Sequence, residues 1–325
     1  MNKVASPGPG YSKRVQPRLF LSSLQMIVCL VVTLFLGDAQ GAEESLNLIH
    51  IKGSNAMKTV VQAWAAAYQA ENPGVFFSVD GGGSGNGIAA LINGHVTVAT
   101  TSRPLKAREI RLITQRTGGP PKDFIVGLDA LSVVVNKANP INGITMGQLA
   151  KIFGGTDGFS TWADLGITIP SCPANTILRL SRKNNSGDYT YFRETVFNER
   201  TRFHPNLVTI HQAEKLVERI SLSPCAIGFT SMANVTNDVK VLCIARDDNK
   251  ETPCIPPTAH FTHEGVYPLS RPLYFYMLAK PVPLVQPFIA WVQGIKGQEI
   301  LRKSGFIAIQ ESASPATVQP PLKND

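Results

Sequence analysis

Between Leu46 and Ile51 apolar and polar residues alternate, the period of a half-buried strand. The turn Gly53-Ser54-Asn55 follows, with Ser54 or Asn55 suited to cap a helix. Val60, Val61, Trp64, Ala67 and Tyr68 then recur at helical spacing between Met57 and Tyr68. Asn72-Pro73-Gly74 stops that helix, and the β-branched and aromatic run Val75 to Val79 predicts a second strand. It leads straight into Gly81-Gly82-Gly83-Ser84-Gly85 and a short apolar-periodic helix from Ile88 to Ile92. A third strand, Val96 to Thr101, ends in Ser102-Arg103-Pro104. Strand, polar turn and helix in repetition predict an α/β fold with helix starts gathered at the carboxyl edge of a sheet.

The pattern continues less regularly. Leu105 to Thr117 reads as a charged helix with Ile110 and Ile113 inward, and Phe124 to Leu128 and Ala130 to Asn136 read as two strands. Met146 to Gly155 is a short helix, and Ile177 to Ser181 is a strand. Arg182 then precedes a polar turn in which Ser186-Gly187 opens a helix running from Tyr189 to Phe197. Gln212 to Ile220 is an amphipathic helix, and SPCAIGFTS holds a turn and short strand. Val239 to Ala245 is a strand, and Tyr267 to Lys280 carries the longest aromatic strand pattern. Val285 to Lys303 gives helix signals with Trp291 and Ile295 on one face. From Glu311 the chain is rich in Ser, Pro and Ala and reads as a disordered tail.

A length of 325 residues suits one large domain or two lobes, and 43% hydrophobic with 17% charged residues fits a globular chain. The formal charge is +8, of which +3 lies in residues 1–41. The remaining +5 suits an anionic ligand, but no lysine or arginine stripe tracks a nucleic-acid backbone, so nucleic acid is excluded as a partner. In residues 1–41, basic residues up to Arg18 precede an apolar run from Leu19 to Leu36 and the small-x-small site Ala39-Gln40-Gly41. This is the layout of a secretory signal peptide, or of a membrane anchor if it is not cleaved. Export makes the chain periplasmic and makes disulfides of Cys172, Cys225, Cys243 and Cys254. Three pairings are open; Cys243 and Cys254 flank the polar turn ARDDNKETP, which favours that pair and leaves Cys172 with Cys225.

The glycine loop and the helix starts are the chemistry. Early helical N–H groups lack intrahelical partners and sit at the positive end of the macrodipole, and glycine lets a ligand approach the backbone. A small anion is the natural guest. Gly85-x-Gly87-x-x-Ala90 formally fits a dinucleotide fingerprint, but its helix breaks at Asn93-Gly94 and no acidic residue ends the next strand. No Gly-Lys-Ser/Thr follows the glycines, which excludes a P-loop. None of the six histidines falls within an anion motif, so no base stands beside a nucleophile, and catalysis is not expected. His260 and His263, in HFTH, read as a solvated loop and not a metal pair, and no metal or other cofactor is expected.

IKGSN, VDGGGSGNGI, ATTSRP, the Arg182 to Gly187 turn, PCAIGF and YPLSRPLYFY, in this order from Ile49 to Phe306, resemble the periplasmic phosphate-binding proteins of ABC transporters. The resemblance implies the two-lobed periplasmic binding protein type II fold, with a mixed sheet and flanking helices in each lobe and the ligand in the cleft. Lobe one would comprise about 45–130 and 268–310, and lobe two about 138–262, with ALSVVVN and YPLSRPL as crossovers. By motif position, Ser54, Asn55, Ser84, Gly85, Ser102 and Arg103 would line one wall, and Arg182, Ser186, Gly187 and Asp188 the other. The implied function is binding of inorganic phosphate by a monomer and its delivery to an ABC permease. Sulfate, molybdate or tungstate binding, and a phosphate-sensing or adhesive surface role, are alternatives on the same fold.

Three departures mark this chain. The family's Ser-Gly-Thr turn reads Ser186-Gly187-Asp188, and Arg103 stands where some members carry aspartate. Exchanged charges are one reading: Arg103 supplies positive charge, and Asp188 accepts the proton of a protonated oxyanion, which a fully deprotonated sulfate cannot offer. The other is that Asp188 only favours the helix start. Cys225 replaces the usual glycine of PGAIGF, in keeping with a structural disulfide at the edge of lobe two.

Overall fold

A computed structural model describes residues 47–197, 200–280 and 282–309. The expected leader and the expected disordered tail lie outside the described residues. The elements below belong to the unit Ile49–Asp325 and to Leu48, which opens its first strand.

The first lobe opens with β1 (Leu48–Gly53), α1 (Lys58–Glu71), β2 (Phe76–Asp80), α2 (Ser84–Ile92), β3 (Val98–Thr101) and α3 (Ala107–Thr117). Strand β4 (Lys122–Asn136) leads out of it. The second lobe holds β5 (Gly143–Thr145), α4 (Met146–Phe153), β6 (Leu178–Arg182), α5 (Gly187–Val196), β7 (Val208–Ile210) and α6 (Ala213–Ser221). It continues with β8 (Ala226–Ser231), β9 (Val239–Val241), β10 (Cys243–Ala245) and α7 (Ala259–His263). Strand β11 (Ser270–Met277) returns to the first lobe, which α8 (Val285–Gln293) and α9 (Ile295–Lys303) complete.

Among the described residues a mixed nine-stranded sheet runs β2-β1-β3-β11-β4-β8-β6-β7, with β9 also on β4. Strands β1 and β3 are parallel, as are β6, β7 and β8, while β11 and β4 are antiparallel to their neighbours. Strand β4 joins the lobes. Its first part, through Ala130, pairs with β11, and Leu131 to Val135 pair with β8. The two strands expected here are therefore one. The interruption read at Asp129 vanishes because Arg271 of β11 neutralises that buried carboxylate.

Each lobe has its own apolar core. Trp64, Phe275 and Phe288 anchor the first, and the Trp64 indole N–H donates to Gly297 O at 2.7 Å. In the second, Phe192 stacks on Phe229 with centroids 3.9 Å apart, beside Phe153 and Trp162. The disulfides are Cys172–Cys225 and Cys243–Cys254, the favoured pairing.

Several boundaries differ from the sequence reading for local reasons. Helix α1 starts at Lys58 with Met57 at its cap position, because Ser54 N–H donates to Thr100 O and Asn55 Oδ1 accepts from Gly82 N–H. Ile113 is buried but Ile110 is 39% exposed. Val239 to Ala245 divides at Leu242 into β9 and β10, which pair with β4 and β5 respectively. The helix expected over Val285 to Lys303 breaks at Gly294, whose extended backbone turns Ile295 out to solvent, away from Trp291. HFTH forms the short helix α7, not a loop.

Candidate functional site

Because β1 and β3 are parallel and in register at Gly53 and Thr100, the residues that follow them emerge at one edge of the sheet. Ser54 N–H donates to both Thr100 O and Thr100 Oγ1 at 2.9 Å. The Ser54 hydroxyl donates to Ser102 Oγ at 3.3 Å, Ser102 N–H donates to Ser84 Oγ at 3.2 Å, and the Ser84 and Ser102 hydroxyls lie 3.5 Å apart. Three buried hydroxyls from three separate turns thus converge. Serine is the residue that fits here, since its hydroxyl can rotate to donate wherever an acceptor arrives.

The glycine loop supports this cluster. Gly83 N–H donates to Gly53 O at 2.8 Å, and Gly82 N–H donates to Asn55 Oδ1 at 2.7 Å. Asn55 therefore shapes the loop with its carbonyl oxygen. Gly83 has φ 101°, a conformation that favours glycine, and a Cβ there would meet Asn185 O at 2.5 Å.

Asn185 belongs to the opposite wall. Its amide donates to Gly82 O at 2.8 Å and its carbonyl accepts from Gly85 N–H at 3.3 Å. The Gly85 N–H is thereby directed across the cleft to protein. Lys106 Nζ, just before α3, also reaches Glu194 Oε1 on α5 at 2.7 Å.

On that wall β6 ends at Arg182 and α5 begins at Gly187, its N-terminus capped by Ser186 Oγ, which accepts from Tyr189 N–H at 3.1 Å. A Cβ on Gly187 would meet Ser102 Oγ at 2.0 Å and Ser84 Oγ at 2.7 Å, so a larger residue there would force these hydroxyls to turn or the walls to part. The buried Arg182 donates through Nη2 to His211 O at 2.7 Å, and its Nε has no hydrogen-bond partner among the described residues.

The two residues that distinguish this chain behave differently from the exchanged-charge reading. Arg103 is buried, but its two Nη atoms fork onto Glu109 at 2.8 and 2.9 Å, and Nη1 also donates to Pro104 O. Its charge is paired within its own lobe. Burial would raise the Glu109 carboxyl, but the Arg103 fork and the Lys106 N–H outweigh it and hold it below the usual carboxylate value. Asp188, also buried, accepts from Arg271 Nη2 at 2.5 Å and lies 3.8 Å from Arg182 Nη1.

Arg271 and Asp129 escaped the sequence reading. Arg271 is fully buried on β11, donates from Nε and Nη2 to Asp129 Oδ2 at 2.9 and 2.6 Å, and lies over the Tyr191 ring at 5.6 Å. Asp129 also accepts from the Ser231 hydroxyl and Met232 N–H. Desolvation would lower the Arg271 guanidinium pKa, but Asp188 and Asp129 outweigh it and push it above its ordinary value. Burial likewise raises the Tyr191 phenol, whose hydroxyl donates to Ser270 O. A lone aspartate inside the apolar run GLDALSVVVN was the available signal, since a buried carboxylate requires a partner.

The fold is shared with known proteins. A phosphate-binding protein PstS from Pseudomonas aeruginosa is 28% identical over 291 residues, covering 86% of this chain and 88% of that one. A solved ABC-type phosphate transport receptor from Vibrio cholerae superposes with TM-score 0.65 at 25% identity, covering 80% of this chain and 99% of that one. A Clostridium perfringens substrate-binding protein with bound phosphate shares the fold at TM-score 0.70 and 23% identity, covering 81% of this chain and 100% of its own. A family model described as a PBP superfamily domain matches residues 38–294, and the chain belongs to that superfamily.

Proposed function

We propose that this protein binds inorganic phosphate in the cleft between its lobes and delivers it to an ABC permease, as an exported monomer without catalysis. The observation that carries the reading is the convergence of three buried hydroxyls, Ser54, Ser84 and Ser102, against Gly187, with the buried Arg182 at the end of β6 keeping a donor that has no partner among the described residues. Lobe one, about 45–130 and 268–310, supplies the hydroxyls and the glycine loop. Lobe two, about 138–262, supplies Arg182 and the start of α5. A dehydrated oxyanion needs many donors at close range, and hydroxyls, early helical amides and a guanidinium are those donors. Closing the lobes removes water and strengthens each contact. The names of the relatives, phosphate-binding protein and phosphate transport receptor, support phosphate over other oxyanions.

The test is calorimetric titration of the purified, anion-stripped chain with phosphate, followed by sulfate, molybdate and tungstate as competitors. Tight phosphate binding that the competitors do not displace supports the reading. Preference for a competitor would reassign the ligand, and no binding to any of them would refute the transport role.

A further inference from the structure

The start of α5 carries a buried carboxylate, Asp188, with arginines on two sides, and the nearer is Arg271. Asp188 lies 2.5 Å from Arg271 but 3.8 Å from Arg182. Four buried side chains therefore alternate in charge, from Asp129 through Arg271 and Asp188 to Arg182, and the formal charges cancel. Arg271 reaches Asp188 from β11, one of the two strands that connect the lobes, and its guanidinium lies over Tyr191 of the same helix α5.

We propose that Arg271 is a positioning residue for anion affinity: it holds the Asp188 carboxylate away from Arg182, so that Arg182 keeps donors for the ligand. This rests on the phosphate reading above. Without Arg271, a buried carboxylate two residues into α5 has Arg182 as its remaining arginine partner. A buried carboxylate without a cation is strongly disfavoured, so the Asp188 side chain would turn toward Arg182 and occupy the donors an oxyanion needs. Asp129 is less dependent on Arg271, because Ser231 and Met232 also donate to it.

The experiment is a double-mutant cycle read by calorimetric titration with inorganic phosphate. Asp129→Asn combined with Arg271→Met removes one charge of each sign and leaves Asp188 without its nearer partner. The expected result is a phosphate Kd raised by roughly thirtyfold or more. Adding Asp188→Asn to that background is expected to recover most of the loss, and to gain more there than it does with Arg271 in place. A pair variant that binds like the unaltered protein, or a loss that persists after Asp188→Asn, overturns the inference and leaves Arg271 a packing residue.

If circular dichroism shows the pair variant unfolded, Arg271→Lys gives the same reading, since lysine keeps the charge but cannot fork across two carboxylates. A loss of roughly fivefold that Asp188→Asn recovers supports the inference, and a loss that Asp188→Asn leaves unchanged overturns it. Failure of the unaltered protein to bind phosphate overturns the phosphate reading, and this inference with it, before any substitution is made.

Discussion

The two walls of the cleft present different chemistry to the same space. On the lobe-one wall the converging groups are the Ser54, Ser84 and Ser102 hydroxyls, and the buried Arg103 is closed off by Glu109. On the lobe-two wall a guanidinium stands at the end of a buried chain of alternating charges. Hydroxyls can reorient and are individually modest, with a net worth of about 1 kcal/mol per hydrogen bond. A guanidinium is fixed, directional and always charged. On the phosphate reading proposed above, one wall would adapt to the ligand's shape, while the other would decide whether a negative charge is held at all.

Substitutions on each wall should separate the two roles. The largest effect is expected at Arg182: Arg182→Met removes the lobe-two cation and leaves Asp188 beside the anion. A loss of about 2–5 kcal/mol in phosphate binding should follow, read by calorimetry. Next is Gly187→Ala, whose added methyl meets Ser102 and Ser84 and keeps the walls apart. A penalty of about 1–3 kcal/mol is expected, with a crystal structure showing a wider cleft.

Ser102→Ala removes the central hydroxyl of the cluster and should weaken phosphate binding by about 1 kcal/mol, roughly fivefold, without lowering the melting temperature. If Ser102→Ala proves as damaging as Arg182→Met, the division of labour between the walls is wrong. Asn185→Ala removes a single side-chain hydrogen bond across the cleft and should raise Kd by a smaller factor, about threefold.

The smallest effect concerns pH and stability. The folded Glu109 carboxyl sits below its ordinary value, so its pairing with Arg103 contributes stability above the unfolded pKa, about 4.3, and that contribution is lost as pH falls through the folded pKa. The melting-temperature difference between the unaltered protein and Glu109→Gln should therefore be largest near neutral pH and shrink in acid.

Much of this was legible in the sequence where local rules govern. The glycine loop, the serine turns after β1 and β3 and the Ser186-Gly187 helix start all follow from neighbouring residues, and the motif order pointed to the fold. Pairings distant in sequence were not legible. Arg271 and Asp129 are 142 residues apart, and Arg271 and Asp188 are 83 apart, so no periodicity or cap links them. The pairing of Arg103 was hidden for the opposite reason. Its partner Glu109 lies six residues on, across a helix start, where no helical or strand spacing links the two. The single strand β4 was split in the reading because a buried aspartate looks like an interruption until its arginine is found.

The central claim is that both walls grip one tetrahedral oxyanion. A crystal structure of the protein with phosphate tests it most directly. The expected result is a phosphate within hydrogen-bonding distance of the Ser54, Ser84 and Ser102 hydroxyls and of Arg182, with Asp188 still on Arg271. A phosphate bound elsewhere, or one in the cleft that Arg182 does not touch, would contradict it.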